Sequence, residues 1–249
     1  KRILFNFSLK LGNIATERRL NKSFNDAIAR LLLLTAHVLS FRSLKKKLGL
    51  SKISIAISGA APIAPEVLKF FMALGVPIFE AYGMTENCAY VTSNDFESIE
   101  IGSVGRPHEN CEIKIADDGE ILTRHGGTFK GYFKDEKSTR EVIDEEGWLH
   151  TGDVGEFTEK GSLIITDRKK DIIMTSGGKN VSPSEIENKI KSSPYIKDAL
   201  VIGDRRKFLT CLVAIEFDTV SNWALRKKIP FTTYQDLTEK SEVRELVSK

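Results

Sequence analysis

Residues 53–86 read ISIAISGAAPIAPEVLKFFMALGVPIFEAYGMTE. Ile53, Ile55 and Ile57 recur at period two and stop at Ser58-Gly59, the pattern of a strand ending in a turn. Pro65 suits the first turn of a helix that carries Val67, Phe70, Phe71 and Leu74 on one face, and Gly75 closes it. Residues 76–80 (VPIFE) form a second short apolar strand running into Ala81-Tyr82-Gly83. The stretch predicts a β-α-β unit, whose two strands are parallel. Residues 58–62 and 81–86 then emerge at the same carboxyl edge of the sheet, where open α/β sheets bind ligands.

Around this unit the composition is that of a globular protein. Of 249 residues, 41% are hydrophobic and 29% charged, enough to bury one large core or two smaller ones. Against 37 Lys/Arg stand 34 Asp/Glu, and a net +3 does not argue for a nucleic-acid partner. Cys88, Cys111 and Cys211 are odd in number, far apart and in no CxxC pair, which excludes a disulfide scaffold and a cysteine zinc site and fits a reducing compartment.

The charge is unevenly spread. Residues 1–52 hold twelve Lys/Arg against Glu17 and Asp26 alone, a balance of +10, so the rest of the chain carries −7. Within this basic segment residues 27–41 (AIARLLLLTAHVLSF) are the most apolar run, interrupted by Arg30 and His37. The run is shorter than the roughly 20 apolar residues of a membrane span and is expected to be a buried helix. Lys45, Lys46 and Lys47 beside it read as a solvated face in preference to an anionic-lipid or anionic-ligand surface. The opening KRILFNFSLK lacks the apolar core and cleavage site of a signal peptide.

Downstream the punctuation changes. Asp117-Asp118-Gly119, Glu145-Glu146-Gly147 and Glu159-Lys160-Gly161 mark turns between short alternating runs, so residues 102–167 are expected to be a β-rich subdomain. The polar stretch 167–171 is the expected domain boundary. Ser182-Pro183-Ser184-Glu185 then carries Ser at N-cap, Pro at N1 and Glu at N3 of a helix through Ile186 and Ile190, followed by strands over 199–202 and 211–217.

Ala81-Tyr82-Gly83-Met84-Thr85-Glu86 combines a glycine that admits a ligand to the backbone, a hydroxyl that donates to oxygen, and a carboxylate that suits Mg²⁺. Taken alone, such a pattern reads in preference as a solvent-facing strand-to-helix turn with Glu86 in the first turn of the helix. The four histidines have no ligand spacing, and no Ser/His/Asp arrangement announces a hydrolase.

Further stretches keep it company. Tyr82-Gly83-Met84-Thr85-Glu86 resembles the YGxTE signature of the adenylate-forming superfamily, and four other segments match that superfamily in order. Ser58-Gly59-Ala60-Ala61-Pro62 is similar to its adenine-wall motif, and Gly119-Glu120-Ile121 with Lys130-Gly131-Tyr132 to its GEI…GY segment. Trp148-Leu149-His150-Thr151-Gly152-Asp153 resembles WLHTGD, and Asp167-Arg168-Lys169-Lys170-Asp171 through Ser176-Gly177-Gly178-Lys179-Asn180 resembles the hinge and the loop beyond. The wording of residues 167–183 and 192–204 is most like long-chain fatty acyl-CoA synthetases.

The resemblance implies a fold and a chemistry. The fold is α/β: part of a large N-terminal domain (α/β portion about 1–101, β-rich portion about 102–167), a hinge at 168–170, and a partial small α+β lid domain over 171–249. The family joins a carboxylate to ATP as an acyl-adenylate and then transfers the acyl group to the CoA thiol, so the implied function is ATP-dependent long-chain fatty acid:CoA ligation with Mg²⁺. By resemblance, Glu86 binds Mg²⁺ and Thr85 contacts phosphate oxygens. Gly59, Ala60 and Ala61 line the adenine, Tyr82 and Gly83 border the adenine and the acyl carbonyl, and Ala81 and Met84 join them in binding the nucleotide. Asp153 accepts both ribose hydroxyls, a task that suits an acceptor-only carboxylate, and Arg168 reaches the same ribose. Lys170 falls at the hinge, and Ser176, Gly177, Gly178 and Lys179 lie where the lid meets CoA. This glycine run lacks GxxxxGK[ST] spacing and is no Walker loop.

Two family segments do not occur in residues 1–249: a phosphate loop of type SGTTGxPK and the segment bearing the adenylation lysine. The chain is therefore expected to be a central-to-C-terminal piece of a longer enzyme, completed by its missing N-terminal part and with little activity by itself. Its expected partners are fatty acid, ATP and CoA, with no nucleic acid, in the cytoplasm with loose attachment to the inner face of a membrane as an option. A ligase that loads a carrier protein, and a non-catalytic nucleotide-binding module of the same fold, remain open as alternatives.

Overall fold

Twenty residues without proline, and with one glycine, form the first helix, α1 (Arg2–Asn21). The computed structural model describes residues 2–21, 25–53 and 55–248; Lys1 and Lys22, counted in the basic segment, lie outside the described residues. Gly12 of α1 sits against the Ala73 carbonyl, where a Cβ has no room. Helix α2 (Ala27–Ala36) opens on Asp26, whose carboxylate accepts from the Ala29 N–H at 2.8 Å and pairs with Arg18 at 2.8 Å. It continues through a π-helical turn (His37–Phe41) into α3 (Arg42–Lys47).

The apolar run departs from expectation here. Ala29, Ala36 and Phe41 are fully buried, and Phe5, Leu11, Phe71 and Leu74 pack around Ala36 and Phe41. Yet Ile28, Leu31, Leu34 and Val38 are 52–75% exposed. The helix is covered on one face and not buried all round. Because the helical conformation runs on through the π turn, Ala27–Lys47 reaches 21 residues and is, by length and composition alone, long and apolar enough to cross a membrane, a test that core helices also pass.

The β-α-β unit is present as β1 (Ala56–Ser58), α4 (Pro65–Ala73) and β2 (Ile78–Tyr82), with β1 and β2 parallel in the register Ala56↔Ile78, Ser58↔Glu80. Strand β1 starts later than the isoleucine alternation suggests, and Ile53 lies before it. The buried face of α4 is Leu68, Met72 and Ala73 with Leu74, whereas Val67 and Phe70 are 39% and 37% exposed, because apolar residues occupy both sides of this helix. Gly75 (φ +75°) ends it, donating to Met72 O at 2.9 Å while the Val76 N–H reaches Phe71 O. Two antiparallel strands, β3 (Thr92–Ser93) and β4 (Arg106–Pro107), extend the sheet from β2.

A second four-stranded sheet follows in the order β5 (Glu112–Ile115), β6 (Glu120–Arg124), β7 (Leu149–Phe157) and β8 (Leu163–Arg168), with α5 (Glu136–Val142) between β6 and β7. Gly119, Gly147 and Gly161, the three turn glycines read from sequence, all take positive φ. Tyr82 of β2 and Val91, just before β3, share one core with Ile121 and Leu163 of the second sheet and with Cys111, which precedes β5.

The chain divides into two units after Thr166. The second contains the hairpin β9 (Ile173–Met174) and β10 (Asn180–Val181), then α6 (Pro183–Lys191), the antiparallel pair β11 (Ile196–Ile202) and β12 (Thr210–Ile215), and α7 (Phe217–Arg226), α8 (Tyr234–Glu239) and α9 (Ser241–Val247). Ser182 caps α6 by accepting from the Glu185 N–H, as its sequence predicts. Phe217 opens α7 in place of ending the strand before it. Ile215, Val220, Ala224, Leu237 and Val243 make this unit's own core.

Candidate functional site

Parallel pairing of β1 and β2 brings the two loops of the carboxyl edge together, as the sequence predicts. A Cβ on Gly59 would stand 3.0 Å from the Ala81 carbonyl oxygen, so the glycine lets the first loop close on the second. Ala60 and Ala61 are exposed beside it, and Ala60 holds φ +68°, uncommon for a residue with a Cβ.

After β2 the chain turns tightly. Thr85, Glu86 and Asn87 form a short 3₁₀ turn, closed when the Asn87 side chain accepts from the Met84 N–H at 2.7 Å and the Ala89 N–H reaches Met84 O at 2.8 Å. Gly83 lies against the Ala89 backbone, in a space no side chain fits. Asn87 is fully buried, so the turn is pinned from beneath while Thr85 is exposed and Glu86 half-buried above it. The Glu86 backbone carbonyl accepts from the Phe129 N–H at 2.8 Å, and its carboxylate accepts from the Tyr132 hydroxyl at 2.9 Å. Tyr132 is thereby a site residue that the sequence reading quoted within a motif but gave no role.

Asp153 arrives from β7. It is 6% exposed, and Tyr82 Oη donates to its Oδ2 at 2.7 Å. The end of β2 and a strand of the second sheet thus meet through a buried, charge-assisted hydrogen bond.

Glu80, one residue before the motif, is a second carboxylate that the sequence reading passed over. It is 8% exposed, and burial pushes its carboxyl up to about 7, an effect opposed by the backbone N–H groups of Gly102 and Ile63. Ile63 belongs to the loop after β1, so Glu80 ties that loop to the turn at Gly102. Its position inside an apolar-looking strand gave no sequence signal.

Arg168, Lys170 and residues 176–179 belong to the second unit. Arg168 and Lys170 are exposed. Asp167, beside them, is buried and accepts from Ser182 Oγ at 2.6 Å, Ser184 Oγ at 2.9 Å and the Ser184 N–H at 3.1 Å, which anchors the start of this unit on the N-terminus of α6. Ser176, Gly177, Gly178 and Lys179 form the exposed tip of the β9–β10 hairpin, held by Thr175 N–H to Lys179 O at 3.0 Å. A shallow cavity of about 400 Å³ lies between Lys179, Ser182 and the Glu185–Lys189 turn of α6. Among the described residues no three His, Cys, Asp or Glu groups cluster as a metal site.

Known proteins share these sequences and this fold. The model of the AMP-binding enzyme family matches residues 19–133, and that of the AMP-binding enzyme C-terminal domain matches 170–230. The long-chain-fatty-acid–CoA ligase FadD15 of Mycobacterium bovis is 39% identical over 188 residues, 76% of this chain and 31% of its own length. Long-chain-fatty-acid–CoA ligase 6 of Mus musculus is 37% identical over 225 residues, 84% of this chain and 32% of its own. The chain thus spans about a third of the length of these relatives. The unliganded O-succinylbenzoate coenzyme A synthetase (MenE) of Bacillus subtilis superposes with a TM-score of 0.60 at 27% identity, covering 79% of this chain and 46% of that one. With both family models matched in order and a shared α/β architecture, the chain belongs to the AMP-binding enzyme family.

Proposed function

We propose that this chain carries the nucleotide-handling face of an ATP-dependent long-chain fatty acid:CoA ligase. The observation that supports this most is the Tyr82–Asp153 hydrogen bond, which joins the YGMTE turn to the TGD strand across 71 residues of sequence. Two motifs that bind one nucleotide must be adjacent, and these are.

In this reading the fatty acid carboxylate attacks the α-phosphorus of ATP and pyrophosphate leaves; the CoA thiol then attacks the acyl carbonyl and AMP leaves. Asp153 accepts the ribose hydroxyls with the carboxylate oxygens that Tyr82 orients. Gly59, Ala60 and Ala61 present backbone to the adenine, and the exposed Thr85 hydroxyl donates to a phosphate oxygen. Glu86 fits Mg²⁺: it is a partly exposed oxygen donor without a surrounding acidic cluster, as suits a cation held largely by nucleotide phosphates. When bound, that ion neutralises charge on the transferring phosphate. Arg168, Lys170 and residues 176–179 take their family roles toward ribose, hinge and CoA.

Calorimetric titration of the 249-residue chain with the non-hydrolysable palmitoyl sulfamoyl-adenosine tests the reading. Saturable binding that Asp153→Ala removes is expected, and a chain that binds neither this compound nor AMP refutes it. Palmitate-dependent ATP–pyrophosphate exchange by the protein that carries this chain tests the activity.

A further inference from the structure

Strand β7 does not pair evenly with β6. Leu122 faces His150, but Glu120 faces Val154, so four steps along β7 answer two along β6. Such a bulge leaves backbone amides without ladder partners and re-aims side chains. Here the orphaned groups have specific takers. The Gly152 N–H, at a residue with φ +71°, donates to Glu120 Oε1 at 2.9 Å. Thr151 Oγ1 donates to Ile121 O at 2.7 Å and accepts from the Asp153 N–H at 3.1 Å. Glu120 Oε2 faces His150 Nδ1 at 3.3 Å, and His150 Nε2 stands 3.8 Å from Asp144 Oδ2. Glu120, Thr151 and Asp153 are all at most 8% exposed.

Burying a carboxylate between a backbone amide and a histidine is costly. Its return is geometric, because a charged acceptor holds the Gly152 N–H more firmly than a neutral one. Asp153 follows Gly152 directly, and its own amide is fixed by the neighbouring Thr151. We propose that Glu120 is a positioning residue: through Gly152 it sets the bulge that aims the Asp153 carboxylate at Tyr82 and at the ribose hydroxyls of a bound nucleotide. The proposal rests on the reading of Asp153 as the ribose acceptor.

The test is the preference of the 249-residue chain for AMP over 2′,3′-dideoxy-AMP, measured by calorimetry. The wild-type preference should be about tenfold or more, the scale of hydrogen bonds to a charged acceptor. In Glu120→Ala it should fall toward unity, while Glu120→Gln, whose amide oxygen still accepts from Gly152, keeps most of it. Equal weakening of both ligands with the preference intact marks Glu120 as merely structural and overturns the proposal. Should Glu120→Ala not fold, Glu120→Met, which keeps the side-chain bulk without an oxygen that accepts from Gly152, is read in its place, and an undiminished preference there overturns the proposal equally. Asp153→Ala separates the two claims. A preference that survives Asp153→Ala, or is absent from the wild type, refutes the ribose reading and the proposal with it; one lost there but kept in Glu120→Ala refutes the role of Glu120 alone.

Discussion

The Tyr132 hydroxyl donates to Glu86 Oε1 at 2.9 Å, so a residue beyond β6 holds the carboxylate of the turn after β2. The same segment is fixed to that turn by the Phe129 N–H on Glu86 O and to α5 by the Tyr132 N–H on Thr139 Oγ1, both near 2.9 Å. The carboxylate proposed to hold Mg²⁺ is thus bonded by the Tyr132 hydroxyl, while Phe129 holds the Glu86 backbone.

Replacing Tyr132 by Phe removes that one bond and keeps the ring, which packs on Phe129. Tyr132 is 39% exposed, so water replaces part of what is lost. In the proposed ligase that carries this chain, adenylation should slow about three- to fivefold, a hydrogen bond of roughly 1 kcal/mol. A Mg²⁺ titration checks it: the half-saturating concentration should rise, whereas an unchanged titration denies Tyr132 any part in orienting Glu86.

Gly83→Ala should be far more damaging than its size suggests. The new methyl would overlap the Ala89 backbone, which the Met84–Ala89 hydrogen bond holds in place. A loss of roughly 1–3 kcal/mol is expected from such overpacking, with nucleotide binding abolished because the turn carrying Thr85 and Glu86 must shift. Urea unfolding and AMP titration measure the two effects separately.

Glu80 makes stability depend on pH with a definite sign. Its folded carboxyl lies at about 7, above the ordinary glutamate value of 4.5, so the native state binds the extra proton between these limits. Its contribution is fully present below the unfolded value and is lost as pH rises through about 7. Glu80→Gln, permanently neutral, should gain stability relative to the wild type on going from pH 4.5 to 8, by an amount on the order of a few kcal/mol. Parallel urea midpoints for the two proteins across that range would rule this out.

Asp167→Ala should loosen the start of the second unit. The carboxylate accepts from two serine hydroxyls and the Ser184 N–H, as well as from the Arg168 N–H at 2.8 Å. Its loss uncaps α6 in part and should cost about 2 kcal/mol. Hydrogen exchange of the amides of residues 183–191 is the direct readout, and protection there should fall while that of β6 and β7 stays unchanged.

Much of this architecture is legible in the amino-acid order. The β-α-β unit, the three turn glycines and the Ser182 cap follow from periodicity and local backbone preference, which act over a few residues. The motif residues were also visible as a set. Glu80, Tyr132 and the role of Glu120 were not, because each acts on a partner fixed by strand register or loop closure. Residues 27–41 show the same divide. Their composition dictates a helix that needs apolar cover, and only packing reveals that Ala29, Ala36 and Phe41 receive it while Leu31 and Val38 do not. Local order thus determined which elements form and which residue types the site contains. Tertiary structure decided which of them touch, since Tyr82 meets Asp153 across 71 residues by the way two sheets share one core, and no local pattern encodes that distance.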